Sequence, residues 1–209
     1  MNSVILSTAY WPNLHYFYYL LNSENVVIEN YEHYQKQSFR NRTQILTSNG
    51  VHDLTVPVIK KHDKEIINTI EISYAEPWQL KHWRAISNAY RNSPYFEFFE
   101  DEIKSIYDYK PQLLLQYNLH QLNVLFKILR VSKTIQLTAL FEKEVSGLLD
   151  LRNSIHPKID FRQDIITKKI LETPYYQTFE DKFPFQPNLS ILDLLFNKGL
   201  QTLDYLRFT

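Results

Sequence analysis

The sequence predicts an α/β fold, and three observations carry that reading. Two short apolar runs, residues 4–6 and 26–28, flank an aromatic-rich stretch opened by Pro12. An Asn49-Gly50 pair joins two β-rich runs. Hydrophobic periodicity becomes helical after Pro77. Together these describe an N-terminal βαβ unit plus a β-hairpin in a mixed sheet, followed by a helix-rich C-terminal half. No linker or repeat interrupts the chain, so residues 1–209 read as one compact domain.

Val26-Val27-Ile28 is β-branched and does not alternate, as expected of a strand buried on both faces. Strand, helix and strand within residues 4–28 make a βαβ unit. The hairpin spans residues 43–58, with Asn-Gly as a type I′ turn signal because that turn needs positive φ twice. Residues 66–72 read as a further strand after the polar loop 60–64. Pro77 suits the first turn of a helix from Trp78. On that helix Lys81, Arg84, Asn88 and Arg91 form a polar stripe, while His82, Ile86 and Ala89 fall on another face. Pro94 and Pro111 open two more helical stretches, the second a core helix to about Arg130. Residues 134–138 read as a strand and 147–160 as loop-rich. Ser190-x-x-Asp193 is a capping box, and Lys198-Gly199 a helix stop.

Composition excludes several functions. Lys and Arg total 23 and Asp and Glu total 23, so no excess positive charge exists to neutralise nucleic-acid phosphates. Cysteine is absent, which removes disulfides, thiolate zinc sites and thiol nucleophiles together. Three scattered glycines cannot form a P-loop or a Gly-x-Gly-x-x-Gly turn. No apolar run is long enough for a membrane span, and the first residues lack a signal peptide's basic and apolar regions. A cytoplasmic protein is expected. The seven histidines show no pairing at helical spacing, so no metal site is assigned. No Gly-x-Ser-x-Gly elbow occurs.

Two clusters carry candidate chemistry. In residues 34–42, Arg42 offers a bidentate fork to carboxylate or phosphate, Lys36 a point charge, Asn41 an amide, and Tyr34 a hydroxyl. The alternative is a solvated connector in which Asn41 caps a turn. In residues 78–84, His82 stands between Lys81 and Trp83. It suits a general base, its pKa depressed by Lys81 and Arg84. The alternative is a core histidine. Residues 16–19 offer a sugar-stacking wall or, more commonly for aromatics at this density, core.

At these clusters the sequence resembles the WbqC-like family of bacterial proteins. The resemblance rests on Tyr10-Trp11-Pro12, the block from Tyr34 to Arg42, and Leu54-Thr55-Val56-Pro57-Val58. It continues through Trp78 to Trp83, Ala89 to Phe96, and Pro187 to Asn197. Relatives often carry Gln-Pro where Ser7-Thr8 stand, and an acidic pair where Asn30 and Tyr31 stand. The resemblance therefore places no metal and no carboxylate catalyst. It implies a transferase that attaches an amino acid or acyl group, such as glycine, to a sugar nucleotide or glycan precursor in O-antigen and surface-polysaccharide synthesis. His82 would be its base. Tyr34, Lys36, Asn41, Arg42 and Lys81 would bind substrate, and no cofactor would be needed. The alternatives are a non-catalytic sugar-nucleotide or glycan-binding accessory protein and a structural partner of an assembly complex. The sequence sets no oligomeric state.

Overall fold

The computed structural model describes residues 3–60, 62 and 64–207. Lys61 and Asp63 of the polar loop, and the first two residues of the N-terminal segment, lie outside that description.

The expected βαβ unit is present. Strand β1 (Ser3–Leu6) leads to helix α1 (Leu14–Asn22) and strand β2 (Asn25–Ile28), which pairs with β1 in parallel, Val4 opposite Val26. The Asn13 side chain starts α1 by accepting the Tyr16 N–H at 2.9 Å. All of Leu14 to Leu20 is buried, so residues 16–19 pack as core rather than as an open aromatic wall. A helix apolar on every side has to be surrounded.

The hairpin follows as β3 (Arg42–Thr47) and β4 (Gly50–Thr55), with Ile45 opposite His52. The turn departs from type I′. Of its residues only Gly50 has positive φ, at 99°, and Asn49 does not. The Thr47 hydroxyl donates to the Gly50 carbonyl at 2.9 Å and takes up the remaining turn geometry. One left-handed glycine after the two loop residues is the three-residue hairpin solution. Strands β5 (Val58–Ile59) and β6 (Glu71–Ile72) form a second small antiparallel pair. The expected strand over 66–72 is thus mostly replaced by a 3₁₀ turn at Ile67–Thr69.

Helices α2 (Trp78–Tyr90), α3 (Phe96–Ile106) and α4 (Leu114–Leu129) come next. On α2 His82, Ile86 and Ala89 are buried while Lys81, Arg84 and Asn88 are exposed. Strands β7 (Ile135–Leu137) and β8 (Leu149–Asp150) then join the first sheet, whose order is β7-β2-β1-β8. All its pairings are parallel. The sheet is therefore parallel rather than mixed, because the hairpin strands pair only with each other. Strand β8 lies in the segment expected to be loop-rich. Two residues beside a single neighbour leave no periodicity to read.

Helices α5 (Ile165–Leu171), α6 (Ile191–Lys198) and α7 (Thr202–Leu206) complete the chain. Ser190 caps α6 by accepting the Leu192 N–H, but Asp193 does not reciprocate. Its carboxylate is buried and accepts from Tyr90, Tyr175 and Gln177. One hydrophobic cluster draws on β1, α1, the hairpin and all of α2 to α7. No helix among the described residues is long and apolar enough to cross a membrane.

Candidate functional site

The cluster at 34–42 folds largely onto itself. Tyr34 is buried, and burial raises its pKa against the lowering effect of Arg40 and Arg42. Asn41 donates through Nδ2 to the Val56 carbonyl at 2.8 Å and accepts the Val56 N–H on its own backbone, tying the hairpin end together. Arg42 is half-buried with Nη1 3.4 Å from Asp53. Lys36 is exposed. The fork-to-fork pairing in this segment belongs to Arg40, whose Nε and Nη2 meet both oxygens of buried Glu32 at 2.8 and 2.5 Å.

His82 is buried, with Nδ1 2.7 Å from the Tyr10 hydroxyl. Trp11 Nε1 donates to the Tyr107 hydroxyl at 2.7 Å, and that oxygen is 3.2 Å from Tyr10. Trp11, Tyr107, Tyr10 and His82 thus form one buried hydrogen-bonded chain. The ring also hydrogen-bonds the Thr55 backbone. Its pKa falls to about 4, first because of burial and then because of His52, rather than because of Lys81 and Arg84. Lys81 turns away to an exposed pair with Glu76 at 2.6 Å. Both residues line a cavity of about 310 Å³ with Thr55, Pro57 and Trp78. Tyr34, Lys36, Asn41 and Arg42 are not on its wall. Arg42 reaches no nearer than one strand away, opposite Thr55 in the hairpin register.

The carboxyl ends of the parallel strands carry a buried ion network. Glu29, which follows β2, meets Arg152 at 2.8 Å, and Arg152 also meets Asp150 at 2.6 Å. The Ser7 hydroxyl, just past β1, donates to the Arg152 carbonyl at 3.0 Å and accepts from Arg40 at 2.8 Å. At the crevice between β1 and β8, where strand order reverses and open α/β sheets often hold ligands, Arg152 and Glu32 line a cavity of about 210 Å³ together with Phe141 and Lys143. Asn30 and Tyr31 serve the end of the sheet. The Asn30 N–H donates to Thr138 Oγ1, and the Tyr31 N–H to Glu29 Oε1.

A histidine with an open ring atom lies elsewhere, at the N-terminal end of α1. His15 Nε2 is 2.8 Å from Asp164 Oδ2, and the Tyr19 hydroxyl donates to the same oxygen at 2.6 Å. The other carboxylate oxygen caps α5 by accepting the Ile166 N–H at 3.0 Å. Asp164 is thereby held rigidly, and it fixes the His15 tautomer with the proton on Nε2. Among the described residues no hydrogen bond reaches His15 Nδ1. The ring lines two adjoining cavities of about 310 and 340 Å³. Burial lowers the His15 pKa, outweighing the raising effect of Asp164, so the ring is neutral near pH 7. The Asn13 Nδ2 group is buried without a partner, and Asn13 lines the same cleft. The walls are polar: Gln44, His156, Asp160 and Arg162 face Asn13 and His15 across it.

Two chain segments far apart in sequence build this cleft. The Ser190 hydroxyl donates to the Trp11 carbonyl, the Ile191 N–H to the Pro12 carbonyl, and the His15 N–H to Asn188 Oδ1. Trp11 and Asn188 both take positive φ, at 38° and 57°, an uncommon conformation for side chains with a Cβ. Such strain persists only where surrounding contacts over-determine it.

The sequence model of the WbqC-like protein family matches residues 8–158. The chain belongs to the WbqC-like protein family. It is also 28% identical over 224 residues to an uncharacterised protein, Rv1507c, of Mycobacterium tuberculosis, covering 98% of this chain and 96% of that protein. No solved structure matches the chain. The WbqC-like span includes Asn13, His15 and His156, whereas Asp164 and Asn188 lie beyond it. Sequence reading gave no role to His15 or Asp164, because 149 residues separate them, and read Tyr19, one turn after His15, only as part of the aromatic stretch. The available signal was Tyr10-Trp11-Pro12 and the block from Pro187, two motifs that turn out to share one wall. Among the described residues no group of three or more metal-ligating side chains could hold an ion.

Proposed function

We propose that this WbqC-like protein is a transferase that attaches an amino acid or acyl group to a polar sugar precursor of surface polysaccharide. Its centre in this reading is the Asn13–His15 cleft, and His15 takes the role that the sequence offers to His82. The observation that carries the proposal is a buried, neutral histidine oriented by a carboxylate, its ring lining a polar cavity and its second nitrogen without a hydrogen bond among the described residues. His82 has its Nδ1 occupied by Tyr10.

His15 Nδ1 removes a proton from the acceptor amine or hydroxyl as that atom bonds to the acyl carbon of an activated donor. The unpartnered Asn13 amide donates to the oxyanion that forms. The acyl–leaving-group bond then breaks, and His15 returns the proton to the leaving group. Arg162 lines the wall, where Glu172 at 2.7 Å and Asp160 at 3.3 Å already pair with its guanidinium. The reading treats residues 1–209 as one domain.

The test incubates the full chain with sugar nucleotides bearing a free amine or hydroxyl and with glycyl or acyl thioesters, adenylates and esters, and reads products by mass spectrometry. A product lost in His15→Ala but retained in His82→Phe supports the proposal. Wild-type turnover in His15→Ala overturns it. Saturable sugar-nucleotide binding with no product across the panel favours the accessory binding protein.

A further inference from the structure

A cavity of about 520 Å³ lies away from both histidine clefts, between α3, the end of α4 and the turn after α6. Tyr95, Phe98, Phe99 and Glu102 form one stripe along α3 at three- and four-residue spacing, facing Ile128 and Leu200. Phe96, Ile103 and Ile106 occupy the adjoining, buried face of α3. Phe99 also packs against the core, while Phe98 carries the apolar surface outward into the groove. Phe98 is 70% exposed and Leu200 42%.

The wall is built rather than incidental. The Tyr95 N–H donates to the Phe196 carbonyl at 3.0 Å. Gly199, at φ 58°, lets the turn lie flat on the Tyr95 ring, because a Cβ there would stand 2.6 Å from Tyr95 Cδ1. Leu200 is thereby held against the α3 stripe.

Three cations, Lys127, Arg130 and Lys198, ring this floor, and none has an ion-pair partner among the described residues. Glu102 offsets one charge. The C-terminal ends of α4 and α6 offset about half a charge each. About one positive charge remains, enough for a singly charged anion.

We propose that this groove binds a single-chain amphiphile, its apolar tail on Phe98, Phe99, Ile128 and Leu200 and its anionic head, phosphate or carboxylate, among Lys127, Arg130 and Lys198. A concave cavity of this size is on the scale of small-molecule sites, about 300–1,000 Å³. A stable second copy needs a surface of roughly 800 Å² per partner instead. Cations around an apolar floor select for charge at one end of the ligand. The proposal stands apart from the transferase reading, because the groove touches neither His15 nor Asn13.

The test titrates the full chain with dodecyl phosphate below its micelle concentration, by calorimetry, with dodecyltrimethylammonium and inorganic phosphate as controls. Saturable 1:1 binding of dodecyl phosphate is expected, weakened about tenfold or more in Phe98→Asp and again in Lys198→Glu. Phe98 is exposed, so its variant should melt as the wild type does, and any loss of binding then reports the groove. Equal binding of the cationic chain, unchanged affinity in Phe98→Asp, or no saturation overturns the proposal. So does a dimer in sedimentation velocity that Phe98→Asp dissolves, or binding to phosphatidylglycerol vesicles without binding of the monomeric probe.

Discussion

His15 Nε2 and Asp164 Oδ2 lie 2.8 Å apart although 149 residues separate them. The pair exists because α5 packs on α1. One oxygen of Asp164 caps α5 while the other orients the ring. Asp164 cannot turn to solvent without uncapping the helix.

For transfer through His15, activity requires the neutral ring. Burial has lowered its pKa below the ordinary 6.5, so the rate should hold through pH 7 and fall only below 6.5. His15→Ala should cost about 10²–10⁴-fold in turnover. Asp164→Asn removes the group that raises the His15 pKa, so the acid limb should move to lower pH. A pH–rate profile of both variants reads this directly, and an unmoved limb in Asp164→Asn would place the base elsewhere.

His82 should act on stability. Its folded pKa of about 4 lies below the unfolded value of 6.5. Protons therefore bind the unfolded chain first, and stability present above pH 6.5 is lost as pH falls towards 4. The loss approaches about 3 kcal/mol, an order-of-magnitude figure. His82→Gln should remove this pH dependence and cost about 1 kcal/mol at pH 7 through the Tyr10 hydrogen bond. Denaturant melts from pH 4 to 8 check both. A variant that melts normally yet loses turnover would return His82 to the catalytic role.

Arg152→Met should strand the Glu29 carboxylate, which is fully buried. Breaking a buried pair from one side costs about 3–5 kcal/mol. Glu29→Met with Arg152→Met should recover part of that loss, although Asp150 and the Glu142 and Lys143 carbonyls also lose their partner. Urea denaturation of the three variants measures the difference. Equal loss in single and double variants would show that the pair itself contributes little.

Gly199→Ala should destabilise through two separable causes, a left-handed backbone and a collision with the Tyr95 ring. The expected cost is about 1–3 kcal/mol. Adding Tyr95→Ala should relieve the collision and leave the backbone part. Thermal melts of the Gly199→Ala chain with and without Tyr95→Ala separate them.

Much of the fold was legible locally. Val26-Val27-Ile28 announced a buried strand, and it pairs with β1 as the βαβ reading requires. Asn49-Gly50 marked the hairpin even though its turn uses one positive φ rather than two. Strand β8 escaped because two residues carry no period. The site was less legible. Asn41 and Tyr34 stood out by composition, yet one ties the hairpin end and the other is buried beside it.

The sequence by itself determined the α/β class, the order of most elements, and the absence of cysteine chemistry, a P-loop or a long apolar span. Those properties rest on composition and on neighbours within a few residues, where steric and hydrophobic preferences act. Only the tertiary structure decided which histidine keeps an open nitrogen. His82 and His15 are both buried and neutral, and both sit on aromatic helices. They differ in what the fold brings to the ring from 72 and 149 residues away: Tyr10 closes Nδ1 of His82, whereas Asp164 holds Nε2 of His15, a ring that lines the cleft. Hydrogen bonding depends on ångström-scale placement of distant side chains, and no local pattern encodes that placement.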